Sequence, residues 1–144
     1  MKKILFVVFL LAVGLTITNA QEIGVRFGLI SGNNVALDGV FSTSKFSRIH
    51  ADVSFGGNGV GVDALWDFLY RPINGEAFNW YVGAGANTFL GDPFMLGIIG
   101  EAGLEYRFNS VPIALGLDWR PNLVVIQTTG FVFDSFGFNI RWVF

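Results

Sequence analysis

From Glu22 to Phe144 the chain returns a large apolar side chain at every second position, segment after segment, and nowhere settles into helical spacing. A period of two sends alternate side chains to opposite faces of an extended backbone, so the pattern predicts strands throughout. Eight segments stand out, at 22–30, 35–42, 48–55, 60–70, 78–87, 97–108, 113–120 and 135–144. The third is the plainest, with Ile49, Ala51, Val53 and Phe55 alternating with Arg48, His50, Asp52 and Ser54. Turn residues separate the segments: Ser31-Gly32-Asn33-Asn34, Gly56-Gly57-Asn58-Gly59, Pro72 with Asn74-Gly75, Gly91-Asp92-Pro93, and Asn109-Ser110. The stretch 88–95 reads as a loop, and 121–134 as the longest connection, with room to extend its neighbours.

Segments of this length fit the ~9–11 residues that a tilted strand needs to cross a bilayer, and an even count puts both chain ends on one side. Hydrophobic residues are 52% of the 144, with 16 Phe and 19 Gly, while charged residues are 14%. Soluble domains carry about 25% charged residues. After the first twenty residues no apolar run approaches the ~20 positions of a membrane-spanning helix, so the apolar excess is spread over short strands. With no cysteine, disulfides, thiolate chemistry and acylation at an N-terminal Cys are excluded. Residues 1–20 read as a cleavable signal peptide: Lys2 and Lys3, an apolar stretch from Ile4 to Leu15, and Thr18-Asn19-Ala20 as the cleavage site. Residues 21–144 then form one domain with 7 Lys and Arg against 11 Asp and Glu, which offers nucleic acid no basic surface.

Which face is polar decides the setting. The apolar set holds the bulkiest side chains, and eight strands of them would overfill a barrel of eight strands, whereas outside they meet hydrocarbon without a packing limit. The opposite set is Gly and Ala interleaved with charge. Arg26, Arg48, Arg107, Arg120 and Arg141 share it with Asp38, Asp52, Asp63, Asp67, Glu101, Glu105 and Asp118, which is 12 of the 18 charges beyond residue 20. Together with His50 these are expected to fill the lumen as an ion-pair network, because guanidinium and carboxylate compensate one another through bidentate hydrogen bonds. Phe41, Phe46, Trp66, Phe68, Tyr70, Phe78, Trp80, Tyr106, Phe108, Trp142 and Phe144 gather toward one set of strand ends, as an interfacial aromatic girdle does. The expected fold is an all-β, eight-stranded, antiparallel up-and-down transmembrane barrel of a Gram-negative outer membrane.

At this point the chain resembles the small eight-stranded outer-membrane barrels, of the OmpX type and the membrane domain of OmpA. The resemblance covers 21–144 and is most specific in the ending Asn139-Ile140-Arg141-Trp142-Val143-Phe144. It implies that Ile140, Trp142 and Phe144 act as the signal read by the barrel assembly machinery, that periplasmic chaperones escort the chain, and that outer-membrane lipid surrounds a monomer. The external connections are short for an adhesin.

Chemistry is sparse. His50, the one histidine, shares a face with Asp52 and Ser54, yet residues two apart on a strand stand about 7 Å apart, too far for a hydrogen-bonded relay. Interior His50 also lacks the lipid-facing Ser partner that a resemblance to lipid A deacylases would require. A metal on His50 with Asp52 and Asp63 or Asp67 competes with pairing to arginine, and no metal, cofactor or catalytic set is assigned. Gly57-Asn58-Gly59-Val60-Gly61 joins two strands with no helix after it and reads as a hairpin turn, not a nucleotide loop. The leading expectation is a non-enzymatic outer-membrane barrel with a structural, envelope-integrity or surface-interaction role. A narrow pore or small-ligand conduit, a lipid A-modifying enzyme and a soluble periplasmic barrel are the alternatives.

Overall fold

A computed structural model describes residues 21–75 and 77–144, and the expected signal peptide at 1–20 lies outside them. The described residues form ten strands and no α-helix. These are β1 (Gln21–Ile30), β2 (Asn33–Ser44), β3 (Ser47–Gly56), β4 (Gly59–Pro72), β5 (Phe78–Gly91), β6 (Met95–Arg107), β7 (Ile113–Trp119), β8 (Asn122–Ile126), β9 (Gly130–Val132) and β10 (Phe136–Val143). Strands β1 to β6 each pair antiparallel with the next, β6 pairs with β7, β7 with β10, and β10 returns to β1. The ring is closed where β10 meets β1 from Glu22 to Gly28, and along that height its ladder has no free edge of the kind an open sheet leaves.

Ten strands make eight staves. Both β7 and β8 lie against β6, β7 along Ala102–Arg107 and β8 along Leu96–Ile99, so they are one stave interrupted at Arg120-Pro121. Pro121 has no N–H to give the ladder, which breaks the stave there, although its carbonyl still accepts from Gly100 N at 2.9 Å. The eighth stave is likewise divided into β9 and β10, and the protein is a closed eight-stranded antiparallel barrel.

Two loops expected from the sequence are shorter than their turn residues suggest. Alternation continues through Thr88–Gly91, where Phe89 turns inward and Leu90 outward, so β5 ends only at the bend before Pro93. The stretch 121–134 holds the β8–β9 hairpin, with Leu123 opposite Phe131 and 127–129 between the two strands.

The alternation sorts side chains by polarity in the inverse of a water-soluble sense. Leu37, Ile49, Trp66, Ile98, Leu117 and Phe136 stand on the outer wall, with Leu117 61% and Phe136 64% exposed. Arg26, His50, Asp52, Asp67 and Glu105 are fully enclosed. One assignment from the pattern is overturned. Tyr70 belongs by strict parity to the outer aromatic set, but β4 slips register against β5 between Asp67 and Leu69, and the bulge carries the ring inward. At the end bearing the termini, Tyr106 packs between Phe78 and Phe108 with ring centroids 4.7 and 4.8 Å away. Phe55, Phe94, Phe131 and Phe133 are exposed toward the other end, a second aromatic group that the sequence reading leaves scattered.

The β8–β9 hairpin is held on one side only, since β9 pairs with β8 alone. Local opening costs least where ladder bonds are fewest. Hydrogen exchange followed residue by residue is expected to find the amides of Gly130–Val132 far less protected than those of β3 to β5, which are paired on both sides.

Candidate functional site

Register creates the problem that the lumen solves. Asp38 pairs with Asp52, and Asp52 with Asp63, so three carboxylates stand in one row across β2, β3 and β4. Like charges directly opposite on neighbouring strands repel. The compensating cation comes from across the barrel, where the broken stave lets Arg120 reach in. Its Nη1 lies 2.5 Å from Asp52 Oδ2 and 3.4 Å from Asp63 Oδ2, and its Nε donates to Glu101 Oε1 at 2.8 Å. His50 completes this tier. Its Nε2 is 2.6 Å from Asp38 Oδ1 and its Nδ1 is 3.1 Å from Glu101 Oε2, an arrangement satisfied in full only by an imidazolium, which has two N–H donors.

A second tier lies toward the termini. Arg48 donates from Nε to Asp67 at 2.9 Å and from Nη1 to Glu105 at 2.9 Å, and its guanidinium sits 4.4 Å from the ring centres of both Tyr70 and Tyr81. Stacking on two aromatic faces suits a planar, weakly hydrated cation. Glu105 also accepts from Tyr70 Oη at 2.9 Å, from Arg107 Nε at 2.8 Å, and faces Arg141 Nη2 at 3.0 Å. Glu22 closes the tier, bonded by Arg107 and 3.3 Å from Arg141 Nε. On the side wall Arg26 clasps Asp118 with Nη2 at 2.5 Å and Nε at 3.0 Å, and Asn139 donates to the same carboxylate at 3.0 Å.

All thirteen residues singled out as lumen groups therefore meet in one continuous network, with Arg107 alone reaching the rim, its side chain 30% exposed. Three contributors escape the sequence reading although their parity marks them: Glu22 lines up with Arg26, Asn139 with Arg141, and Tyr81 with the glycines of β5. Tyr70 could not be found that way, because the bulge that turns it is silent in the pattern. Ile140, Trp142 and Phe144 are exposed on the outer wall at the terminal end.

The row that might suggest hydrolysis does not assemble. Ser54 Oγ is 3.4 Å from the carbonyls of Ile30 and Gly61 and accepts from Asn33, so it faces away from His50 chemistry. Two sets, Asp38/His50/Asp52 and His50/Asp67/Glu101, bring ligand atoms within 4.8 Å of one another. Guanidinium groups of Arg120 and Arg48 already stand against Asp52, Glu101 and Asp67, where a cation would have to displace them.

Fold and lumen together define a class, a closed eight-stranded barrel whose core is a salt-bridged polar network and whose outer wall is apolar. No family model matches the chain, and searches among curated proteins and solved structures likewise find no match.

Removing one member of a buried ion-pair group strands its partners, at a cost of about 3–5 kcal/mol. R120A is expected to lower unfolding stability by that amount, read from urea titrations followed by tryptophan fluorescence. The exposed K45A should stay within about 0.5 kcal/mol of the parent in the same titration.

Proposed function

We propose that the protein is an integral outer-membrane β-barrel, exported by its N-terminal segment, and that it serves a non-enzymatic structural, envelope-integrity or surface-interaction role. The observation that carries this reading is the inversion of polarity, with arginines and acids enclosed and Leu, Ile, Phe and Trp on the outer wall. In water such a wall would be a continuous apolar surface far beyond the few hundred Å² that soluble monomers expose. Against acyl chains it carries no penalty, and the closed ladder leaves no backbone group unpaired along most of the wall. Ten residues at about 3.3 Å rise, tilted by about 40°, climb roughly 25 Å, the height of the apolar band of outer-membrane barrels. The reading of a non-enzymatic role rests on a lumen whose polar groups are committed to one another rather than presented to a substrate.

Fractionation tests the placement. Recovery in a sarkosyl-insoluble envelope fraction, with a gel mobility that shifts on boiling, is expected; recovery in osmotic-shock fluid would overturn the proposal. A substitution separates the two settings on energetic grounds. Leu117 and Leu104 are partners on neighbouring strands of the outer wall. L117R should cost about 2–4 kcal/mol in a bilayer, the range for arginine facing lipid near the midplane. In a water-soluble barrel it would be neutral or would raise solubility.

A further inference from the structure

Near the end of the barrel remote from the termini, a cavity of about 170 Å³ opens beside the lumen network. Ile30, Phe89, Ile99 and Val124 contribute apolar walls, and Asp63, Asn87 and Asn122 are polar residues in its lining. The direction of one hydrogen-bond chain fixes what Asn87 presents. Ser31 Oγ donates its single proton to Asp63 Oδ1 at 2.6 Å, so it must accept from Asn87 Nδ2 at 3.0 Å. The Asn87 amide is thereby oriented, and its carbonyl oxygen points toward Gly97. That oxygen and the side-chain oxygen of Asn122 are both buried without a hydrogen-bond partner. They converge, standing 2.5 and 2.6 Å from the point a Cβ on Gly97 would occupy. A methyl group there would collide with both oxygens and with the carbonyl of Leu123, so a side chain at this position would displace them.

The cavity also has a side entrance. The β1–β10 ladder stops at Gly28 opposite Gly137, and β9 pairs only with β8, so the top of β1, paired with β2 on one edge, has no strand along the other. Leu29 O is satisfied by side chains instead, Arg26 Nη1 at 3.0 Å and Ser135 Oγ at 2.9 Å. Leu29, Val132 and Ser135, which flank this unzipped seam, line the cavity.

We propose that the chamber binds a small amphiphilic amine, its ammonium on the oxygens of Asn87 and Asn122 beside the Asp63 carboxylate and its compact apolar body among Ile30, Phe89 and Ile99. An ammonium has three donors and no acceptor, which suits the oriented Asn87 oxygen and the neighbouring Asp63 carboxylate. Charge favours a cation as well, because eight buried carboxylates in the described lumen face five arginines and His50. An anion would meet Asp63. A cavity of roughly 150 Å³ accepts a ligand the size of benzene, which sets the size of the apolar part. This inference goes beyond the proposed role and needs only the closed barrel.

Benzylamine, benzyl alcohol and benzoate are the probes, titrated into the purified protein in detergent micelles while amide signals are followed by NMR. Benzylamine is expected to shift Gly97 and Phe89 saturably in the millimolar range, with benzyl alcohol at least about tenfold weaker and benzoate without effect. N87A and N122A should each weaken benzylamine about tenfold, and G97A should abolish its binding. Boiling-dependent gel mobility identifies the variants that remain barrels, and N122A decides if N87A does not. Equal responses to the three probes, or a benzylamine response indifferent to N122A and G97A in folded protein, would overturn the inference; so would the absence of any saturable shift. A parent protein found in osmotic-shock fluid would instead count against the membrane placement, leaving the chamber to be judged by the titration.

Discussion

The arrangement of guanidinium groups against carboxylates inside the barrel is the constraint on which the remaining structure depends. Antiparallel register lays Asp38, Asp52 and Asp63 side by side, and that row is tolerable only because Arg120 crosses from the opposite wall and His50 bridges to Glu101. Neither the row nor the crossing arginine is stable alone, since an uncompensated charge in a water-poor interior costs several kcal/mol. The network also fixes alignment. Sliding any strand by one residue would send its charges to the outer wall and its Leu, Ile and Phe into the lumen.

Volume is the second constraint, and glycine meets it. Long side chains fit the narrow interior where their neighbours have none: Gly137 lies beside the Arg26 guanidinium, Gly103 beside the Tyr81 ring, and Gly116 beside Asn139. A methyl group at these positions would press on the polar groups that hold the barrel in register. The high glycine content thus belongs to the same device as the arginines, with empty positions and long ones alternating across the lumen.

Most of this could be read from the chain because a barrel with a polar core and an apolar wall writes its two faces into a strict alternation. Arg26, Arg48, Glu101 and Arg141 are assigned by parity alone, as are Ile49 and Leu104 on the other face. The misjudged details lie where parity fails or where turn residues outweigh it. A bulge reverses Tyr70, Gly91-Asp92-Pro93 conceals the end of β5, and Pro121 makes one stave resemble a strand followed by a long loop. Asn87 and Asn122 were invisible as a pair, since uncharged amides on separate strands carry no pattern and only the fold brings them over Gly97.

The ring is completed by its two extremities. β1 finds its second neighbour only in β10, and the amide of Phe144 donates to Gln21 O at 2.9 Å across that join. A nascent polypeptide can pair one edge of β1 with β2 early, but the other edge waits until β10 has been made. Closure of the cylinder therefore comes last in this topology, and until then one edge of β1 keeps a row of unpaired N–H and C=O groups.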